Sequence, residues 1–226
     1  MTWLFCQTCF SQNTDVHVVT ELSPPYQIII NNEVAGSSTD KVRALLTQGQ
    51  ISSTFSMYPW ARAYEMAVNS PNTLIYSIAK TKERKHLFHW LAPVTYYKLG
   101  LVAKSDRADL LQVSLNNLAN YLVAVQRADI AHNWMLKQGF EENKHFIVSP
   151  NIESSWQLLL KEKVDFIIES PELMLNMLKS FNLAENTTQY VLPIPELELV
   201  GYLAANKHLD NTILRKLKDA TNASSK

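Results

Sequence analysis

The chain has 226 residues, 46% of them hydrophobic and 19% charged, enough apolar material for one large domain or for two lobes of about 100 residues each. Lysine and arginine total 21, as do aspartate and glutamate, so the formal net charge is zero. That balance argues against a dedicated nucleic-acid binder, which carries a net basic footprint, and no run approaches the ~20 apolar residues needed to span a bilayer.

The N-terminal "MTWLFCQTCFSQ" is briefly apolar and ends in small or polar residues. It resembles the end of a secretory signal's apolar region and its cleavage site, but lacks the basic start and full length of one. Residues 1–14 therefore read as a residual signal-like or disordered segment. Cys6 and Cys9 form a C-x-x-C pair with no second pair and no strand-to-helix context, so redox or zinc chemistry is not expected of them. Removal of this segment would leave a chain without cysteine, which suits an exported protein.

The β-branched "VHVVTE" (16–21) predicts a strand, which Pro24 and Pro25 end. "YQIII" and the turn "NNEVAG" predict a short hairpin. A helix follows from Ser38 or Thr39 as N-cap, with Val42, Leu45 and Leu46 on one face and Gly49 closing it. "ISSTFSM" is a second strand. Pro59 at a first helical position leads into "WARAYEMAV", with Ala63, Met66 and Ala67 on one face. "TLIYSIA" is a buried strand, Thr81 caps a short helix "KERKHLF", and "YYKLGLVAKS" is a further strand. This β-α-β-α-β order is that of an α/β lobe with a mostly parallel sheet.

A second lobe repeats the alternation: strand "NYLVAVQ", helix "IAHNWMLKQ" capped by Asp129 and ended by Gly139, and strand "KHFIVS". A helix "SSWQLLLKEK" opened by Asn151 or Ser154 and the strand "VDFIIE" follow. Ser170, Pro171 and Glu172 then form a strong helix start. "YVLPIPELELVGYLAANK" returns as extended chain, and a final amphipathic helix uses Leu209, Ile213, Leu214 and Leu217. None of the five glycines forms a nucleotide-binding spacing.

In this order, "VHVVTELSPPYQIIINNEVAGSSTDKVRALL", "PWARAYEMA", "SIAKTKERKHLFHWLAPV" and "YKLGLVAKS" resemble the bacterial extracellular solute-binding proteins of family 3. These are the amino-acid-type periplasmic receptors of ABC transporters. The resemblance runs from about Val16 to the C-terminal helix. It implies an α/β, two-lobed type II periplasmic binding protein fold, each lobe a mostly parallel sheet flanked by helices, with two hinge crossings. Lobe 1 would comprise 15–103 and 193–226, and lobe 2 would comprise 104–192. The implied function is capture of a small polar, carboxylate-bearing, amino-acid-like ligand between closing lobes. The expected setting is the periplasm of a Gram-negative bacterium, as a monomer serving ABC transporter membrane subunits, with no nucleic acid, no cofactor, no metal and no catalytic residue.

The resemblance also implies site residues. Arg84, in the basic run Lys80, Lys82, Arg84, Lys85, matches the arginine that clamps a ligand carboxylate, a role suited to a bidentate guanidinium. The other reading of that run is a solvated helix face. Ser77 and Ala79 match small or hydroxyl residues beside the ligand, and Lys80 shares their loop. Trp60 matches an aromatic that packs on it, against a core role. Tyr26 and Glu21 fall near the same cleft, and Arg62 pairs with either an acid or the ligand. In the second lobe, Arg127 could present a second positive charge, while Asp129 caps its helix. The aspartate that grips a ligand ammonium is replaced by Ser170. Glu169, one residue earlier, is the nearest substitute, although a shift of one reverses direction along a strand.

Two other classes remain open. A cyclohexadienyl-dehydratase-like enzyme on the same scaffold would use Glu169 near Arg127. A sensing module without a kinase or cyclase segment after Lys226 would act by docking. The pair His86/His89 lacks a nearby cysteine or acid to complete a metal site.

Overall fold

The computed structural model describes residues 15–224, so the signal-like segment and its C-x-x-C pair lie outside the described residues. The strands are β1 (Val16–Thr20), β2 (Ile28–Ile30), β3 (Glu33–Ala35), β4 (Ser53–Met57), β5 (Thr73–Ala79), β6 (Phe88–Lys104), β7 (Val123–Gln126), β8 (Phe146–Ser149), β9 (Phe166–Glu169) and β10 (Thr188–Asn206). The helices are α1 (Ser37–Gln48), α2 (Trp60–Asn69), α3 (Ile130–Lys137), α4 (Ile152–Leu160), α5 (Pro171–Ser180) and α6 (Asn211–Ser224). Eight strands form one sheet in the order β4-β1-β5-β10-β6-β9-β7-β8, while β2 and β3 make a separate hairpin.

Parallel pairing of β1 with β4 and β5 builds one half, and parallel pairing of β7 with β8 and β9 builds the other. Near-continuous burial of β1, β5, β7 and β9 follows, because helices cover both faces of each half. In the first half, Val42, Leu46 and Leu217 pack on one face, and Trp60, Ala63 and Ala67 on the other. In the second, Trp134 and Met135 oppose Trp156, Leu159 and Met177.

The long antiparallel strands β6 and β10 run through both halves. Their register breaks between Pro193 and Glu198, and Pro195 lies within the break. Proline cannot donate to a ladder, so the sheet is interrupted where the halves meet. The chain thus crosses twice, at adjacent points.

Four local expectations change. Helix α1 starts at Ser37 behind Gly36, not behind Ser38 or Thr39. Ser38 and Thr39 already lie inside the first turn, where the Ser38 hydroxyl donates to Val94 O (3.1 Å) and the Thr39 hydroxyl to Ala35 O (2.9 Å). Pro59 is the N-cap of α2 rather than its first residue. The stretch after Thr81 is a turn, not a helix: Lys85 N–H donates to Thr81 O, and β6 takes over at Phe88. Finally, "FHWLAPV" and "YYKLGLVAKS" are one strand, and short 3-10 turns at Ala108–Gln112 and Leu115–Asn120 precede β7.

Gly36 shows how tightly the α1 entry is built. Its φ is +109°, and a Cβ there would lie 2.6 Å from Tyr26 O and 2.8 Å from Pro25 O. Those carbonyls receive the N–H groups of Ser38 and Ser37, replacing a side-chain cap. Gly36→Ala should cost about 1–3 kcal/mol through overpacking and a strained backbone. Gly139→Ala, also at positive φ but with nothing within 4 Å, should cost ~1 kcal/mol. Urea unfolding of the two variants measures the difference, and equal losses would remove the clash as the cause.

Candidate functional site

Parallel strands of both halves end at one seam, and the helices that follow them begin there. In open α/β sheets this is where ligands bind, because helix N-termini supply unpaired backbone donors. A cavity of about 70 Å3 lies at the seam. From the first half it is lined by Glu21 after β1, Trp60 at the start of α2, Ser77 and Ala79 at the end of β5, and Arg84 in the turn beyond. From the second half come Gln126, Asp129 and Glu169. Tyr97 and Leu99 of β6 and Leu199 of β10 close it at the crossings.

Arg84 is 3% exposed. Its guanidinium sits 5.2 Å from the Trp60 ring centre and 5.1 Å from that of Tyr64, and these two rings stack on each other. The Thr81 hydroxyl accepts from Arg84 N–H at 3.3 Å, which sets the turn that aims the side chain. Across the seam, Arg84 Nη2 and Trp60 Nε1 both donate to the carbonyl of Ala128, at 3.1 and 2.8 Å. Ala128 holds a positive φ of 59°. Burial lowers the Arg84 pKa, offset by Tyr64, Asp129 and Glu21. Arginine nonetheless keeps its proton in proteins, so this is a permanent buried cation.

Three carboxyl groups share the cavity with it. Burial and the Asp129 charge raise Glu21 to about 8, against a side-chain hydrogen bond from Gln126 and attraction to Arg84. Burial raises Asp129 to about 7, opposed by backbone hydrogen bonds and Arg84. Burial, with the charges of Glu21 and Asp129, holds Glu169 well above the usual carboxylate range. Desolvation holds all three back from ionising, and neighbouring negative charge adds to it for Glu21 and Glu169. The cavity therefore carries more potential negative charge than Arg84 can balance. In addition, Glu21 Oε2, Gln126 Oε1 and Gln27 Oε1 are buried with no hydrogen-bond partner. The two glutamine oxygens accept, and so does Glu21 once ionised, so a ligand that supplies donors satisfies them.

The residues singled out in the sequence divide into two groups. Arg84, Ser77, Ala79, Trp60, Glu21 and Glu169 line the cavity. The Ser77 hydroxyl is already engaged, accepting from Gln27 Nε2 and bonding Thr95 Oγ1 at 2.9 Å, so it orders the wall. Glu169, the last residue of β9, faces the cavity, whereas Ser170 turns away to cap α5, its Oγ accepting from Leu173 N–H at 3.2 Å. Tyr26 lies outside the lining, edge-on to Tyr97 at 5.5 Å. Arg127 is exposed and also outside it, because the turn after β7 points Gln126 and Asp129 inward instead. Arg62 stacks on Tyr58 at 4.5 Å, and Lys80 lies over Trp90 at 5.6 Å. Asp129 does cap α3, accepting from His132 N–H at 2.6 Å, but it lines the cavity as well. Gln126 and Tyr97 were not anticipated. Their signal was position at a strand end and at a crossing, which the periodicity of single segments does not reveal.

No protein-family model matches the sequence, and no curated protein matches it. Solved structures do. A histidine kinase sensor domain with similarity to periplasmic binding proteins is 16% identical with a TM-score of 0.77, covering 93% of this chain and 90% of its own. The substrate-binding protein of an amino acid ABC transporter is 13% identical with a TM-score of 0.75, covering 94% and 93%. The arginine-, lysine-, histidine-binding protein ArtJ from Geobacillus stearothermophilus is 16% identical with a TM-score of 0.76, covering 94% and 90%. With its two α/β halves, double strand crossing and cavity at the seam, the chain has the two-lobed fold of the periplasmic binding proteins.

Proposed function

We propose that this chain is a solute-binding receptor of the extracellular family 3 type, which closes its lobes on a cationic amino acid. One observation carries the reading: a single buried guanidinium, Arg84, faces three buried carboxyl groups, Glu21, Asp129 and Glu169, in the cavity between the lobes. The guanidinium suits an α-carboxylate. The carboxyls, with the unpartnered acceptors of Glu21 and Gln126, suit an α-ammonium and a second cationic nitrogen. An acid–base catalyst on the same residues is less well supported, since the solved neighbours are binding proteins.

In this reading the hinge lies where β6 and β10 lose register, near 98–100 and 193–198. The expected lobe boundaries at 103/104 and 192/193 therefore move, because Gly100–Val102 pair with β9 and Leu101, Ala103, Ile194 and Leu197 pack in the second half's core. The periplasm is the setting, ABC transporter membrane subunits are the partners, and the receptor works as a monomer without cofactor. Among the described residues no helix is long and apolar enough to cross a membrane. The histidine kinase sensor neighbour favours a second reading, a sensing input for a membrane partner.

Thermal-shift measurements and calorimetry with amino acids, small carboxylates and polyamines test the function. L-arginine or L-lysine should stabilise the protein by about 2.7 kcal/mol at a hundredfold excess over Kd. An equal response to L-glutamate or to simple carboxylates would overturn the cationic assignment, and turnover of a prephenate-like substrate would overturn the receptor. Loss of uptake in a deletion strain would mark transport. Unchanged uptake with loss of ligand-dependent transcription would mark sensing.

A further inference from the structure

The cavity at Arg84 does not end at the seam. A second chamber of about 600 Å3 shares Glu21, Leu22, Gln126 and Ile152 with it, so these residues form a neck between the two. Small-molecule sites commonly measure roughly 300–1,000 Å3. At about 70 Å3 the Arg84 compartment falls well short of that range, whereas the two together lie within it. The inner compartment has room for little more than a small charged group, and the larger volume lies beyond the neck.

The chamber's walls differ in chemistry. Pro24, Ile28 and Ile29, at and beside the β2–β3 hairpin, make an apolar side, and Ile29 is left 48% exposed there. Opposite stand Asn151, Glu153, Asn176 and Ser180, presenting amide, hydroxyl and carboxylate groups. Neither lysine nor arginine lines the chamber. At the neck, Glu21 Oε2 and Gln126 Oε1 are the buried acceptors without partners, and Gln126 is only 9% exposed. An apolar stem alone would leave Gln126 Oε1, and Glu21 once it ionises, unsatisfied at a cost of about 1–3 kcal/mol each, so a linkage with N–H donors suits the neck.

We propose that the cleft takes a linear cationic amino acid whose side chain is prolonged through an N–H-bearing linkage. The amino-acid head sits at Arg84, the linkage passes between Glu21 and Gln126, and the tail lies in the second chamber near Glu153. The inference rests on the amino-acid reading of the inner compartment and extends it to a longer class of ligand.

Calorimetry with L-lysine and with Nε-glycyl-L-lysine separates the two claims. The second probe keeps the same head, adds an amide N–H at the neck and places an ammonium in the chamber. It should bind at least tenfold more tightly than L-lysine. Asn176→Trp, which fills the chamber without touching the Arg84 compartment, should reduce the longer probe to the affinity of L-lysine and leave L-lysine unchanged. Circular dichroism and thermal unfolding establish that the variant is folded, and Asn176→Leu serves if it is not. Equal affinity of the two probes, equal weakening of both by the variant, or binding of neither overturns the extended-ligand proposal. If both probes bind and Arg84→Ala binds them as well as wild type, the head-group reading itself has failed. If Arg84→Ala loses both but wild type shows no preference for the longer probe, only the extension has failed.

Discussion

Arg84→Ala is expected to abolish the thermal shift produced by cationic amino acids and to weaken their binding by roughly 30-fold to several thousandfold. That range corresponds to the ~2–5 kcal/mol lost when one member of a buried, hydrogen-bonded charge pair is truncated. The arginine is nearly inaccessible and aimed by the Thr81 turn, and its cation is held against Trp60 and Tyr64. No other lysine or arginine lines the cavity, so nothing else there can meet a carboxylate. Arg84→Lys should recover little, because a point charge lacks the planar fork that grips a carboxylate at two points. The fold should persist in Arg84→Ala. The neighbouring carboxyls can take up protons instead of remaining as uncompensated charges, and the lost contacts include the hydrogen bond to Ala128 and the contacts with Trp60 and Tyr64. Titration calorimetry with L-lysine and L-arginine, alongside far-UV circular dichroism, decides the matter. Undiminished affinity in a folded Arg84→Ala would remove the carboxylate clamp from the site.

Much of this architecture is legible in the amino-acid sequence. The β-branched runs at 16–20 and 73–79 are buried on both faces, and such segments read plainly as central parallel strands. The Ser170-Pro171-Glu172 start of α5 carries its cap, its first-turn proline and its acid in three consecutive residues. What failed was local sequence acting through distant partners. Ser38 and Thr39 look like caps, but their hydroxyls serve Val94, Thr95, Ala35 and Tyr76, three of them far along the chain or on another strand. The stretch after Thr81 has helical composition, yet pairing of β6 with β10 draws Phe88 onward into the sheet.

The site shows the same division. Arg84 and Trp60, singled out by the resemblance, both line the cavity. Tyr26 and Arg127 were placed at the cleft by proximity in sequence, and side-chain direction put them elsewhere. Asp129 shows the limit best: its capping role was readable, but its second role depends on the first lobe bringing Glu21 and Arg84 opposite it. No pattern within one lobe encodes that meeting.

Those facing carboxyls set the second large expectation, a ligand-free stability that falls as pH rises from about 5 to 8. Glu21 and Asp129 have folded-state values of about 8 and about 7, above the ordinary carboxylate range, and Glu169 is shifted the same way. Between the unfolded and folded values the native state binds more protons than the unfolded chain, so each added pH unit favours unfolding. The slope begins above the ordinary carboxylate value and ends once the groups have ionised in the folded protein. Each unit of raised pKa corresponds to about 1.4 kcal/mol. Because the groups share one cavity, the combined loss should be of the order of a few kcal/mol rather than the sum of independent shifts. A cationic ligand of the proposed kind should reverse the trend. It would bind the ionised carboxyls, so binding below pH 8 should release protons, and affinity should rise with pH over the window in which the free protein loses stability. Thermal unfolding from pH 5 to 8.5, with and without L-arginine, should therefore give curves that diverge as pH rises. Calorimetry in buffers of different ionisation heat should show net proton release near pH 7. Glu21→Gln removes the group that titrates at about 8 and relieves its repulsion on Glu169, and should flatten the upper part of the ligand-free slope. A melting temperature that rises through this window without ligand, or binding that takes up protons, would mean that the carboxyls face the ligand already ionised and that the electrostatic basis proposed for cation selection is not the one at work.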